Sequence, residues 1–361
     1  MNAENTVIDN KDDILENLTR TLLYEGYSLF PYHRNAIKNQ KPIPFGVVYP
    51  ADYNAFNMHA HSEMHTDCIV TGDGDLMINV TVRFLHLKKT EVFQINAGAD
   101  SDENNFSPIY EISVNGELYQ AGWQTIERKI NSGDLRIGQL VDNPKTLSIS
   151  FDKVFKSKFI WDLNGEITGK QIISILPIEG TVTIKAIPVE NMENAYRVIV
   201  FITNSTPVEN ANEISRDEIS RQSFLSTNTI LNTTTGEFIS LQNPGEKWVS
   251  IIEQCQNKGT WPILIDENNK TLLSSPIIVY DYPKINPRSN GDLFDSLEIE
   301  EALILHFSVM SDEEKNKIAQ SDEKLRSMLN KVGQVTPNEI INLHGGFSSI
   351  EQPTIHTEKE K

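Results

Sequence analysis

From Leu76 onward the chain alternates with a period of two: Leu76, Ile78, Val80, Val82 and Phe84 are interleaved with Met77, Asn79, Thr81, Arg83 and Leu85. Successive side chains of an extended backbone point to opposite sides, so the pattern predicts a strand buried on one face of a sheet. "TGDGD" at 71–75 supplies a turn before it, because glycine accepts positive φ at little cost. The same period returns in Val182, Ile184 and Ala186, and again in Tyr196, Val198, Val200 and Ile202. The polar "ENMEN" between these two runs makes them an antiparallel hairpin. Strand patterns dominate from Thr66 to about Asn204, which points to a β-sandwich.

The carboxy-terminal third changes period. "SDEE" at 311–314 and "TPNE" at 336–339 are capping boxes that open helices, the second with Pro337 in the first helical position. Leu325, Met328, Leu329 and Val332 form a helical stripe, and Gly333 and Gly345 stand where helices stop. The expected fold is therefore α+β: an antiparallel β-sandwich-like core, a mixed region after it, and a small helical C-terminal tail. The expected divisions are an N-terminal segment with an aromatic and basic patch (1–65), a β-sandwich-like domain (66–205), a mixed α/β region (206–295), a helical tail (296–347) and a disordered terminus (348–361).

Charge narrows the function. Fifty acidic residues against 32 basic ones leave a formal net charge of -18, which repels phosphate backbones and excludes nucleic acid as the expected partner. The longest apolar runs, "YRVIVFI" and "SPIIVY", are strand-sized and far short of the roughly 20 residues of a membrane helix, so no membrane insertion is expected. No secretory pattern opens the chain, and Cys68 and Cys255 lie far apart with no CxxC, which suits a reducing cytoplasm. A bridge between those two cysteines stays open. With 361 residues the chain buries enough core to fold without a metal or cofactor, and no resident cofactor is expected.

Three stretches carry candidate chemistry. "HAHSEMHTDC" at 59–68 gathers His59, His61, His65, Asp67 and Cys68 with Met58 and Met64, donors that suit zinc, copper or nickel, although the spacing matches no established zinc pattern. The alternative is a solvated loop leading into a strand that buries Cys68. Cys68 beside a histidine also has the makings of a nucleophile, against the ordinary buried thiol. "DLFDSLEIEEA" at 292–302 aligns Asp292, Asp295, Glu298 and Glu301, a candidate Mg²⁺ or Ca²⁺ site or acid and base pair that helix capping explains more simply. Dinucleotide, P-loop, nucleophile-elbow and HExxH signatures are all missing from the sequence, which weighs against an enzyme.

"YEGYSLFPYHRNAIKNQKP" at 24–42 concentrates aromatic and basic residues in an otherwise acidic chain. Arg34 and Lys38 share a face if the segment is helical, with Tyr24, Tyr27, Phe30 and Tyr32 as the apolar part of a patch. Tyr32, Arg34 and Lys38 are the candidate partner-binding residues, tyrosine and arginine being enriched at interface hot spots. The competing reading is internal fastening, with Arg34 paired to a carboxylate among Asp292, Asp295 and Glu298.

"LFPYHRNAIKNQ...FGVVYP" at 29–50, "GTWPILI...LLSSPIIVYDYPKINPRSNGDLFDSLEIEE" at 259–301 and "MSDEEKNKI" at 310–318 together resemble a family of bacterial proteins encoded beside the structural and maturation genes of high-affinity, oxygen-tolerant nickel-iron (NiFe) hydrogenases. The resemblance runs through most of the chain. It implies a non-enzymatic accessory, assembly or scaffolding role with a hydrogenase subunit or precursor, or a maturation factor, as partner. Members of that family carry Met-x-Thr-acidic-Cys where this chain has Met64 to Cys68, often with a glutamine-like residue at the place of His65. The alternative function is a metal-handling protein or metalloenzyme built on His59, His61, His65 and Cys68.

Overall fold

The computed structural model describes residues 15–16, 18–20, 22–23, 45–73, 75–96 and 105–283. The expected helical tail, the expected disordered terminus and the acidic row at 292–301 lie outside the described residues. Among those described, the strands in chain order are β1 (Glu63–Gly72), β2 (Met77–Ile95), β3 (Phe106–Ile109), β4 (Glu111–Val114), β5 (Glu117–Gln120), β6 (Gly122–Arg136), β7 (Lys145–Phe151) and β8 (Val154–Trp161). They continue with β9 (Ile167–Ile175), β10 (Ile178–Pro188), β11 (Ala195–Asn204), β12 (Leu225–Thr233), β13 (Gly236–Phe238), β14 (Trp261–Leu264) and β15 (Thr271–Ser275). Short helices over Ala51–Asn54, Ile137–Asp142, Arg216–Ile219 and Val249–Ile252 link them.

Two antiparallel sheets form a sandwich, as the alternation predicts. One has the order β13-β1-β11-β10-β7. The other runs β14-β15-β12-β2-β9-β8, with β6 and β3 also paired to the long β2. Strands from before and after residue 205 share both sheets, since β1 pairs with β13 and β2 with β12. The expected hairpin is present: β10 and β11 pair from Gly180↔Asn204 to Pro188↔Tyr196 around the 190–194 turn, where Asn191 and Asn194 take positive φ.

The even-numbered row of β2 meets the even-numbered rows of β10 and β11 in one core, where Ile78, Val80, Val82, Phe84, Val182, Ile184, Val198, Val200 and Ile202 are buried. Each such side chain contributes about 1.5–3 kcal/mol by leaving water. Phe84 stacks on Phe224 with ring centroids 4.7 Å apart, joining β2 to the approach to β12.

The outer face of the larger sheet is covered by helical residues of the N-terminal segment. Leu18 and Leu22 pack with Ile230, Ile263 and Leu273, and Leu23 with Leu85, Leu87 and Leu225. Arg83, an outward residue of β2, is buried beneath them and donates to Glu16 through Nη1 at 2.6 Å and Nη2 at 3.0 Å, and to Glu127 through Nε at 2.7 Å. A charged residue in an apolar layer is tolerated because both carboxylates meet it. Among the described residues, no helix is long and apolar enough to cross a membrane.

Candidate functional site

The period of β1 separates the candidate metal ligands. Met64, Cys68 and Val70 point into the sandwich core, while the odd residues His65, Asp67 and Ile69 take the opposite face. His59 and His61 stand exposed in the loop before the strand, and Met58 is exposed with them. Cys68 and His65 therefore lie on opposite sides of one sheet. Among the described residues no group of three His, Cys, Asp or Glu side chains is placed to hold a metal ion.

Each remaining member of that stretch has a local partner or a local reason. The His65 ring lies edge-on to Phe201 with centroids 5.9 Å apart, its Nε2 is buried without a hydrogen bond, and burial lowers its pKa. Asp67 is fully buried and ion-paired with Arg197. Cys68 and Cys255 are both free thiols, so the open bridge is not formed. Burial pushes the Cys68 thiol well up, and burial with the Asp67 carboxylate pushes Cys255 up to about 12. Neither is a poised nucleophile, because the reactive species is the thiolate.

The candidate partner-binding residues Tyr32, Arg34 and Lys38 lie outside the described residues. The structure brings forward a different surface at the far end of β2. There β9 and β8 extend the larger sheet on one side of β2 and β3 on the other. Register places Phe93 opposite Lys170, Lys170 opposite Phe159, and Phe93 opposite Pro108, while Ile95 faces Phe106. Cross-strand partners share a face, so these residues form one continuous surface.

The two sides of this extension differ. On the even side Val92, Val114 and Ile160 are buried together under the β4–β5 hairpin, with Ile112 and Tyr119 packed against them. The odd side is open: Phe155 is 60% exposed, Phe159 43% and Trp161 51%. Phe159 sits 6.0 Å from Phe106 and 6.4 Å from Trp161 between ring centroids. Lys170 Nζ lies 5.5 Å from the Phe106 ring centre and 5.9 Å from that of Phe93, a cation above a negative ring face. Contiguous exposed aromatic surface of this kind marks interaction sites.

The hairpin that presents it is fixed locally. Asp162 accepts from the amides of Asn164 at 2.9 Å and Glu166 at 2.8 Å, and Gly165 takes φ 80° between β8 and β9. Those hydrogen bonds, the one from Glu166 foremost, pull the Asp162 carboxyl below its usual range. Gly169 is needed for close approach, since a Cβ there would lie 2.5 Å from the Phe93 carbonyl oxygen. The signal for this surface is present in "VFKSKFIW" at 154–161, where Phe155, Phe159 and Trp161 alternate with Lys156 and Lys158. An aromatic row on a strand reads as core, and nothing local says that its sheet face is left uncovered. No family model, curated protein or solved structure matches the chain.

Proposed function

We propose that the chain is a non-enzymatic accessory protein that binds a partner polypeptide through the Phe93, Phe106, Phe159 and Trp161 surface. The supporting observation is that aromatic face, on which Phe159 and Trp161 are exposed and Phe93 and Phe106 are half-buried beside Lys170, in a chain of net charge -18. The resemblance to hydrogenase-associated proteins names the partner: a NiFe hydrogenase subunit or precursor, or a maturation factor. Aromatic side chains with few rotatable bonds supply binding area at low entropic cost, which suits a docking surface.

A tagged copy recovered from native cells is expected to carry hydrogenase subunits, and deletion of the gene is expected to lower assembled hydrogenase. The double substitution Phe159→Ser and Trp161→Ser is expected to lose those subunits while leaving the melting temperature unchanged. Normal hydrogenase in the deletion strain, or full recovery by the double variant, overturns this reading.

A further inference from the structure

We infer that β8 is an acceptor edge for an extended acidic segment of a partner protein, which adds to the larger sheet as a further strand with alternating apolar and carboxylate side chains. The inference rests on the protein-binding function proposed above and specifies how the partner is held. β8 ends the strand order of its sheet, and among the described residues it pairs with β9 and no other strand. An unpaired edge presents a row of amide and carbonyl groups that a second chain can complete. Residues 154–160 hold no proline, and the irregularity in the β8–β9 ladder falls at its end, between Ile160 and Trp161. There the Asn115 side chain already donates to the Trp161 carbonyl at 3.0 Å, capping that end of the edge.

The side chains on the two faces of β8 state the chemistry of the incoming strand. Phe155, Phe159 and Trp161 stand on one face, so apolar side chains of the new strand lie beside them. Lys156 and Lys158 stand exposed on the other, Lys158 with its ammonium 4.8 Å from the Tyr119 ring centre. Carboxylates of the new strand then meet two lysines. A second copy of this edge is a poor occupant: antiparallel pairing centred on Ser157 sets Lys156 of one copy opposite Lys158 of the other, and like charges directly opposite destabilise a ladder. A single-stranded nucleic acid would match aromatic rings and lysines, but it has no alternating amide and carbonyl groups with which to complete the unpaired edge of β8.

The test uses the full chain and a short fluorescent peptide alternating Val and Glu, with its binding followed by anisotropy. The peptide is expected to bind, and its Val and Lys counterpart is expected not to. Reversing Lys156 and Lys158 to Glu is expected to weaken the acidic peptide about tenfold or more and to admit the basic one. Strand addition uses alternate amides only, so N-methylating one alternating set should abolish binding and N-methylating the other should leave it. Equal binding by both methylated peptides overturns strand addition, as does failure of the acidic peptide to bind or preference for a single-stranded oligonucleotide. If the peptide fails while recovery of the partner still depends on Phe159 and Trp161, strand addition is wrong and the docking function stands. If recovery is indifferent to Phe159 and Trp161, the docking function fails on its own account.

Discussion

Arg197 on β11 grips the buried Asp67 of β1, its Nε 2.8 Å from Oδ1 and 2.9 Å from Oδ2 while Nη2 also closes on Oδ2. The Gln256 amide donates to the same carboxylate at 2.8 Å, and Asn257 exchanges two hydrogen bonds with the Asp67 backbone at 2.8 and 3.0 Å. One carboxylate thus ties segment 256–258 to the edge of β1 in the smaller sheet, where Lys258 pairs with His65. A buried charge is sustained by its partner, and losing that partner is costly.

Asp67→Ala is accordingly expected to destabilise the protein by about 3–5 kcal/mol, because it strands the Arg197 guanidinium and removes the acceptor for the Gln256 amide. Urea denaturation measures the loss. Combining Asp67→Leu with Arg197→Met should recover most of it, since an apolar pair of similar volume carries no desolvation cost. A double variant as unstable as Asp67→Ala would place the cost in the lost Gln256 contact rather than in the charge.

His86 makes stability depend on pH. It is wholly buried, its Nε2 lies 3.0 Å from the Leu176 carbonyl, and its Nδ1 lies 3.4 Å from Arg128 Nη2. Burial, reinforced by the Arg128 charge, lowers its pKa from 6.5 to about 4. Above pH 6.5 the imidazole is neutral in both folded and unfolded chains. As the pH falls below that value the unfolded chain takes up a proton that the folded one refuses, so stability drops until the pH passes about 4 and then levels. The drop assigned to this residue is about 3 kcal/mol. Unfolding free energies of the wild type and His86→Gln, measured by denaturant titration across that range, should diverge by this amount; parallel curves would remove His86 as the cause.

Gly180 sets the spacing inside the smaller sheet. A Cβ at this position would stand 2.2 Å from the Thr203 carbonyl oxygen and 2.8 Å from Phe224 Cζ. The first is backbone of the paired strand and the second is a buried ring, so neither yields cheaply. Gly180→Ala is expected to cost about 1–3 kcal/mol or more by overpacking. A Cβ added at Gly138, in the helix Ile137–Asp142, would meet nothing within 4 Å, and Gly138→Ala is expected to be neutral or to stabilise by about 0.4–1 kcal/mol. Thermal melts of the two variants compare them, and equal melting temperatures would contradict the steric argument.

The residues by themselves determined the strands and their buried faces. Alternation in 76–85, 182–186 and 196–202 is a local property, and β2, β10 and β11 bury the rows it marks. The turn residues between β10 and β11 likewise specified a hairpin, because neighbours in sequence close a ladder at small entropic cost. Nothing local pairs β1 with β11 across more than 120 residues, or β2 with β12 across a similar gap; those choices follow from which apolar faces can be buried together. The site follows the same division. Parity along β1 already separates His65 from Cys68, whereas the burial of Asp67 required Arg197 and Gln256 to arrive from distant parts of the chain. The aromatic row of β8 was visible as a row, but only the stacking of β9, β2 and β3 beside it decided that one face would be covered by the β4–β5 hairpin and the other left to solvent.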